Sequence, residues 1–257
     1  MSEILELDQT PPGLARLNSS TGVELAYRLR AGTSPTLVFL PGYASDMEGA
    51  KAHALDAFAA TRGLAMLRFD YSGTGASGGR FEDGTLAQWL NDARTAVDRL
   101  TDGPLILIGS SMGAWIALHL ALAISTRVRA LVGIAAAPDF TNWGFTPAQK
   151  AQLLDDGRLE RGTADGGGSQ ATTLCFWQSG QAMRLLGGPI ALDCPVRLIH
   201  GDADDDVPLD IAVQLMARLR SADVQLNIVK GGGHRLSEPH EIEAIVQTVA
   251  ALVEPEQ

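Results

Sequence analysis

The pentapeptide Gly-Ser-Ser-Met-Gly at residues 109–113 has the spacing of a serine nucleophile held on a tight turn. It directly follows an apolar run at 105–108 and opens a second apolar segment of helical period. In such a strand–turn–helix the backbone of the serine is strained, and glycines two residues to either side avoid collisions with the neighbouring chain. The pattern predicts that Ser111, and not Ser110, points out of the turn and attacks a carbonyl carbon.

A serine hydroxyl needs a general base near neutral pH, and histidine can supply one because its pKa lies in that range. We predict His234 as this base, because it follows the apolar run 225–229 on a glycine-rich loop. The other histidines fall within, or at an end of, helical or strand patterns: His53, His119, His200 and His240. His234 is therefore best placed to reach over the end of a sheet.

An acidic group that orients the base is predicted after the apolar run 196–200. The next residues, 201–208, read Gly-Asp-Ala-Asp-Asp-Asp-Val-Pro. The spacing Gly-x-x-Asp-x-x-Val-Pro selects Asp204, with Asp205 as the second candidate. A carboxylate at this position would hold the imidazole in the required tautomer and stabilise the imidazolium that forms during attack.

Two backbone amides are predicted to stabilise the oxyanion of a tetrahedral intermediate. The Met112 amide lies at the start of a helix, where N–H groups lack intrahelical partners and the helix dipole favours negative charge. The Tyr43 amide is predicted as the second donor, from the loop after the apolar run 36–40. We expect this role to be independent of the Tyr43 ring. The chemistry needs no metal and no organic cofactor, and we expect none.

Two other motifs suggest different ligands but lack the necessary context. The aspartates of 202–206 spell Asp-x-Asp-x-Asp, yet a calcium loop needs glycine at its sixth position and glutamate at its twelfth, where Val207 and Val213 stand. The run 73–78 matches Gly-x-Gly-x-x-Gly, but it continues into a loop instead of opening a helix. We therefore expect neither calcium nor a dinucleotide.

The elements that must position these residues follow from hydrophobic periodicity. Short runs rich in Val, Ile and Leu alternate with longer segments of helical period, which is typical of an α/β protein with a mostly parallel sheet covered by helices on both faces. About eight strands are predicted, at 14–18 (an antiparallel edge), 23–29, 36–40, 65–69, 105–108, 130–134, 196–200 and 225–229. Helices are predicted at 86–100 (with Thr85 as its cap), 112–124, 211–219 and 241–253.

Residues 138–192, called the insert below, interrupt this alternation. Their pattern is irregular and includes the loose run 162–169, yet they are rich in aromatic residues. Long segments of this kind within compact domains are commonly lids, so we predict a single domain over 1–257 with the insert as a lid of short helices or a hairpin. Four aromatic residues are predicted to contact substrate there: Phe140, Trp143, Phe176 and Trp177. The alternative is that they form a small satellite core.

The net charge of −10 disfavours binding to nucleic acid, whose phosphates such a field repels. The longest apolar stretch, 114–124, is about half of what a membrane-spanning helix requires, so we expect no membrane insertion. Residues 1–13 are acidic and resemble neither a secretory signal nor a transit peptide, which favours a cytoplasmic location.

The chain order of serine turn, aspartate loop and terminal histidine resembles that of the α/β-hydrolase superfamily over essentially the whole chain. Within that superfamily, five segments are similar to the group of palmitoyl-protein thioesterases and acyl-glucuronide esterases: 39–43, 68–73, 102–104, 109–115 and 198–201. This resemblance implies depalmitoylation of proteins or cleavage of acyl glucuronides, with Ser111, Asp204 and His234 as the triad and the Tyr43 and Met112 amides as the oxyanion hole.

The sequence thus predicts a serine hydrolase that cleaves a carboxylic ester or thioester through an acyl-enzyme, acting on a small molecule or an acylated protein. Two alternatives share the same residues. One is a hydrolase of C–C bonds, or a perhydrolase, that uses the same triad. The other is a ligand-binding protein that retains the fold without turnover.

Overall fold

The centre of the molecule is an eight-stranded sheet, in a computed structural model that describes residues 12–162 and 169–253. In chain order the elements are β1 (Ala15–Asn18), β2 (Glu24–Arg30), β3 (Thr33–Leu40), α1 (Ala50–Arg62), β4 (Leu64–Phe69), α2 (Leu86–Leu100), β5 (Leu105–Ser110), α3 (Met112–Ala123), β6 (Val128–Ile134), α4 (Phe140–Trp143), α5 (Pro147–Asp156), β7 (Arg158–Gly162), β8 (Ser169–Thr173), α6 (Leu174–Ala182), β9 (Val196–Gly201), α7 (Leu209–Arg218), β10 (Val224–Val229) and α8 (Pro239–Val253).

The strand order in the large sheet is β1-β2-β4-β3-β5-β6-β9-β10. Strand β2 runs antiparallel to both of its neighbours, and every other neighbouring pair is parallel. The carboxyl ends of β3, β5, β9 and β10 therefore meet at one edge of the sheet, which is where parallel α/β sheets bind their ligands. The prediction of a mostly parallel sheet of about eight strands is confirmed, including the antiparallel edge strand.

Helices cover both faces of the sheet, as predicted, because the buried strands are apolar on both sides. In β5, Leu105 and Leu107 belong to the core that packs against α2, α3 and α7, whereas Ile106 and Ile108 belong to the core that packs against α1 and α8. Successive side chains of a strand point to opposite faces, which explains this division. The strand that carries the serine turn is thus fixed between two layers of helices.

No bounds were predicted for helix α1, although His53 falls in a helical pattern. Its thirteen residues are rich in alanine, and the buried side is formed mainly by small side chains: Ala52, Leu55, Ala59 and Ala60. Alanine favours helix strongly but contributes little contrast between an apolar and a polar face. Hydrophobic periodicity therefore does not indicate where this helix begins and ends.

The described part of the insert contains α4, α5, the antiparallel hairpin β7–β8 and α6. Phe145, Leu153 and Leu159 form a small core of its own, against which Phe140 and Trp177 pack. Residues 163–168, which make up most of the loose run predicted at 162–169, lie outside the described residues. The insert thus contains both short helices and a hairpin.

Across the described stretches 12–162 and 169–253, the structure contains no helix with enough length and apolar character to cross a bilayer.

Candidate active site

The structure brings Ser111, His234 and Asp204 into one chain of hydrogen bonds. The Ser111 hydroxyl lies 3.0 Å from Nε2 of His234, in position to donate its hydrogen. On the other side of the ring, Nδ1 of His234 lies 2.9 Å from Oδ2 of Asp204. Serine and histidine are 123 positions apart in sequence, and the common edge of the parallel sheet explains how they meet.

The backbone of Ser111 adopts the strained conformation that the sequence predicts, with φ 53° and ψ −119°. Few residues with a side chain adopt a positive φ, so surrounding contacts must hold this one in place. The Ser111 amide donates to the Ile134 carbonyl at 2.8 Å, and the Ser111 carbonyl accepts from the amides of Ala114 and Ala137. Strands β5 and β6 and helix α3 together hold the serine on its turn.

Gly113 allows the loop after β3 to approach the serine turn closely. A Cβ atom at this position would lie 2.1 Å from the Leu40 carbonyl oxygen and 2.5 Å from that of Pro41. The same loop continues into Gly42, where a Cβ atom would lie 3.4 Å from that of Ser111. The absence of a side chain at 113 therefore brings the Tyr43 segment next to the nucleophile.

Replacing Gly113 by alanine is expected to lower the free energy of unfolding by about 2–4 kcal/mol, because backbone on both sides must move to admit the methyl group. Thermal denaturation followed by circular dichroism measures the change. Gly187→Ala is the matched control, since nothing lies within 4 Å of a Cβ atom built there. Equal effects of the two substitutions would contradict the packing argument.

Asp204, and not Asp205, is the aspartate that contacts His234. The Asp204 side chain is fully buried, and its Oδ1 accepts from the amides of Asp206 at 2.9 Å and Val207 at 2.8 Å. Asp205 is exposed. Burial by itself raises the pKa of Asp204, but the hydrogen bonds from His234 and Val207 more than offset it, so the pKa lies below its ordinary value. The carboxylate is thus ionised in the neutral range.

Both amides predicted for the oxyanion hole lie beside the serine. Met112 is the first residue of α3, where a backbone N–H has no acceptor within the helix. Tyr43 directly follows Gly42, whose backbone lies against Ser110 and Ser111. The two amides thus belong to segments that border Ser111, and their role as an oxyanion hole stays a prediction.

The Tyr43 ring has contacts of its own, apart from the backbone role predicted for this residue. It packs against rings of the insert, with centroid distances of 4.8 Å to Phe176 and 5.7 Å to Phe140. Its hydroxyl lies 3.2 Å from Oγ1 of Thr172 in β8. No sequence pattern indicates this contact, because Tyr43 and Thr172 are 129 positions apart. The loop beside the serine is tied to the insert through this side chain.

The four predicted substrate-contacting aromatics separate into two pairs. Phe140 and Phe176 lie against the Tyr43 ring, at the boundary between insert and sheet edge. The indole N–H of Trp143 donates to the Pro138 carbonyl, and that of Trp177 donates to the Thr141 carbonyl. Phe140 and Phe176 thus pack against Tyr43, whereas Trp143 and Trp177 form hydrogen bonds to backbone carbonyls within the insert.

His200, set aside in the search for a base, lies directly beside the Asp204 carboxylate. Its side chain is fully buried, and Nε2 lies 3.4 Å from Oδ2 of Asp204. The sequence interpretation correctly placed it at a strand end, where β9 finishes with Gly201. Its spacing of four residues from Asp204 was the only available signal, and that spacing is uninformative in a loop.

Known proteins resemble this chain along most of its length. The human protein named "Palmitoyl-protein thioesterase ABHD10, mitochondrial" is 38% identical over 245 residues, which cover 94% of this chain and 80% of the relative. A crystal structure of a putative hydrolase from Agrobacterium vitis S4 superposes with a TM-score of 0.90 at 37% identity, covering 95% of this chain and all of that one. Mouse alpha/beta hydrolase domain-containing protein 10 gives 0.88 at 35% identity, covering 94% and 98%.

The prediction of a cytoplasmic location is wrong by this comparison. The human, Pongo abelii and Bos taurus relatives are all named as mitochondrial proteins and point to that compartment. The prediction was based only on the composition of residues 1–13.

The family model that matches the chain is described as the alpha/beta hydrolase family and covers residues 37–248. This range includes every strand from β4 to β10 together with the serine turn, the aspartate loop and the histidine loop. From sequence match, fold and related structures together, the chain belongs to the alpha/beta hydrolase family and is a hydrolase.

Proposed function

We propose that this hydrolase cleaves a thioester or ester of a carboxylic acid through an acyl-enzyme formed on Ser111. His234 acts as the general base and Asp204 orients it. The observation that supports the proposal is the continuous pair of hydrogen bonds, 3.0 Å from serine to histidine and 2.9 Å from histidine to aspartate. This arrangement can activate a hydroxyl for acyl transfer near neutral pH.

In the proposed reaction, the Ser111 oxygen attacks the substrate carbonyl carbon while its proton passes to Nε2 of His234. The carbonyl oxygen becomes an oxyanion that accepts hydrogen bonds from the Tyr43 and Met112 amides. The intermediate collapses, the bond to the leaving sulfur or oxygen breaks, and His234 returns the proton to that atom. Water, deprotonated by His234, then attacks the acyl-enzyme and releases the acid.

The substrate class is proposed from the relatives and from the insert. The human relative is named a palmitoyl-protein thioesterase, so an acylated protein or a small acyl thioester is the proposed substrate. We propose one domain over 1–257 whose insert acts as a lid and contributes the acyl-binding surface. Phe140, which is half-buried, contacts the acyl group there, and Trp143 and Trp177 are half-buried in the same insert. Phe176 is only 2% exposed, so it supports this surface from the core.

An apolar acyl-binding surface predicts a preference for longer acyl chains. Each buried CH₂ group contributes about 0.8 kcal/mol, so kcat/KM should rise by at least about tenfold between acetyl and octanoyl substrates. Kinetics on matched series of acyl thioesters and p-nitrophenyl esters measure this rise and also compare thioesters with esters. Phe140→Ala should flatten the series.

Leu154→Ala is the control for that substitution, because Leu154 belongs to the insert and is 58% exposed. It should leave the dependence on chain length unchanged. Rates that are independent of chain length in the unmodified enzyme would contradict the proposed acyl-binding role of the insert, while hydrolysis of none of these substrates would contradict the proposed function itself.

A further inference from the structure

A second imidazole lies beside the Asp204 carboxylate, in the interior of the protein. His200, at the end of β9, is fully buried, and its Nε2 lies 2.9 Å from the Val207 carbonyl oxygen and 3.4 Å from Oδ2 of Asp204. That same carboxylate oxygen accepts the hydrogen bond from Nδ1 of His234. One oxygen atom therefore lies between two histidines.

The hydrogen positions on His200 follow from what its nitrogens face. Nε2 lies 2.9 Å from the Val207 carbonyl oxygen, which can only accept, so Nε2 carries a hydrogen and donates it there. Nδ1 is buried, and no hydrogen-bond partner for it exists among the described residues. A lone pair in such a dry position costs less than an unsatisfied N–H group, so the ring is best satisfied with its hydrogen on Nε2 alone.

We propose that His200 is a positioning residue for the triad: its Nε2–H group, hydrogen-bonded to the Val207 carbonyl, holds the loop that carries Asp204 and places the positive end of its dipole 3.4 Å from Oδ2. The inference rests on the proposed function of Ser111, Asp204 and His234. Oδ1 is already fixed by the amides of Asp206 and Val207, whereas the His200 imidazole acts on Oδ2 through its charge distribution at 3.4 Å and not through a hydrogen bond. The Val207 carbonyl links the same imidazole to the loop that carries those amides.

The other charged groups near the two histidines belong to their own loops and to α1 and α8. Asp205 and Asp206 are exposed, and Asp202 accepts from the Gly231 amide. Lys51 of α1 donates to the carbonyl of Arg235, and Glu241 of α8 accepts from the Glu238 amide. Burial lowers the pKa of Lys51. All of these groups are unchanged in the variants below, so they affect the His234 titration equally in every variant.

The test uses three substitutions that differ in reach and in polarity. In His200→Gln the side-chain amide can place an N–H group near the position of Nε2, in His200→Asn the amide is one CH₂ shorter, and in His200→Leu there is no donor. The first readout is the NMR titration of the His234 ring, which does not depend on turnover. The second is kcat with an acyl thioester.

Without the His200 donor, Oδ2 of Asp204 carries more charge against the His234 imidazolium and stabilises it. The midpoint of the His234 titration should therefore rise by about half a pH unit in the leucine and asparagine variants. Their kcat should fall by about tenfold, and KM should stay nearly constant. The glutamine variant should keep both quantities close to those of the unmodified enzyme.

An unchanged His234 midpoint in the leucine and asparagine variants would overturn the proposal, because a purely structural role lowers the folded fraction without moving that midpoint. If the leucine variant does not fold, the test compares the glutamine and asparagine variants. Equal His234 midpoints in those two variants would overturn the proposal. A shifted midpoint in an enzyme that hydrolyses no acyl ester or thioester would support the positioning role and contradict the proposed function instead.

Discussion

Replacing Ser111 by alanine is expected to lower kcat by about 10⁶-fold. The substitution removes the attacking oxygen, so the acyl-enzyme cannot form, and any residual rate must come from water positioned by the remaining groups. Covalent labelling with a fluorophosphonate probe, followed by mass spectrometry of the labelled peptide, measures the same property directly. The unmodified protein should carry the label on Ser111, and Ser111→Ala should remain unlabelled.

Ser110→Ala is the matched control, because Ser110 is the neighbouring residue at the end of β5 and has the same side chain. Its kcat and labelling should stay within about threefold of the unmodified enzyme, since the substitution leaves the Ser111 hydroxyl and its hydrogen bond to His234 in place. Circular dichroism should show equal folding for all three proteins. Retention of activity in Ser111→Ala would remove the basis of the proposed function.

Replacing Asp204 by asparagine is expected to lower kcat by about 10⁴-fold with little change in structure. The amide is nearly the same size, but it cannot stabilise the imidazolium, and its NH₂ group favours the wrong tautomer of His234. Because the pKa of Asp204 is depressed, the carboxylate contributes stability that is present above its unfolded pKa and is lost as the pH falls through its folded pKa. Steady-state kinetics at neutral pH therefore measure the ionised form.

The control for this substitution is Asp205→Asn, which makes the same chemical change one residue away on an exposed side chain. Its kcat should remain within about threefold of the unmodified enzyme. The opposite pattern, with a large loss in Asp205→Asn and a small one in Asp204→Asn, would mean that the loop changes its conformation when substrate binds and that Asp205 supplies the acid.

The sheet and the identity of the central residues could be predicted because each leaves a local pattern. Runs such as 105–108 and 130–134 are apolar on both faces of a strand, and all eight predicted strands lie within three residues of the observed ones. The glycine spacing around Ser111 reports a turn that the structure shows with a φ of 53°. Patterns of this kind depend on neighbours in sequence, which is why they can be read without coordinates.

What could not be predicted depends on contacts between distant parts of the chain. The spacing of the aspartate loop favoured Asp204 over Asp205, but only the fold shows which carboxylate reaches the histidine. The contact between Tyr43 and Thr172 joins two loops with no common motif. The sequence placed His200 only at a strand end, because no spacing rule describes its position beside Asp204.

The attachment of Tyr43 to Thr172 sets a condition for redesigning this enzyme by exchanging its insert. Phe140, Thr172 and Phe176 all contact the side chain of a residue whose backbone borders the nucleophile. A foreign insert chosen only for the shape of its binding surface would leave that phenol ring with Phe81 and Trp89 but without its neighbours in the insert. A successful chimera must therefore carry these three positions along, or replace Tyr43 at the same time.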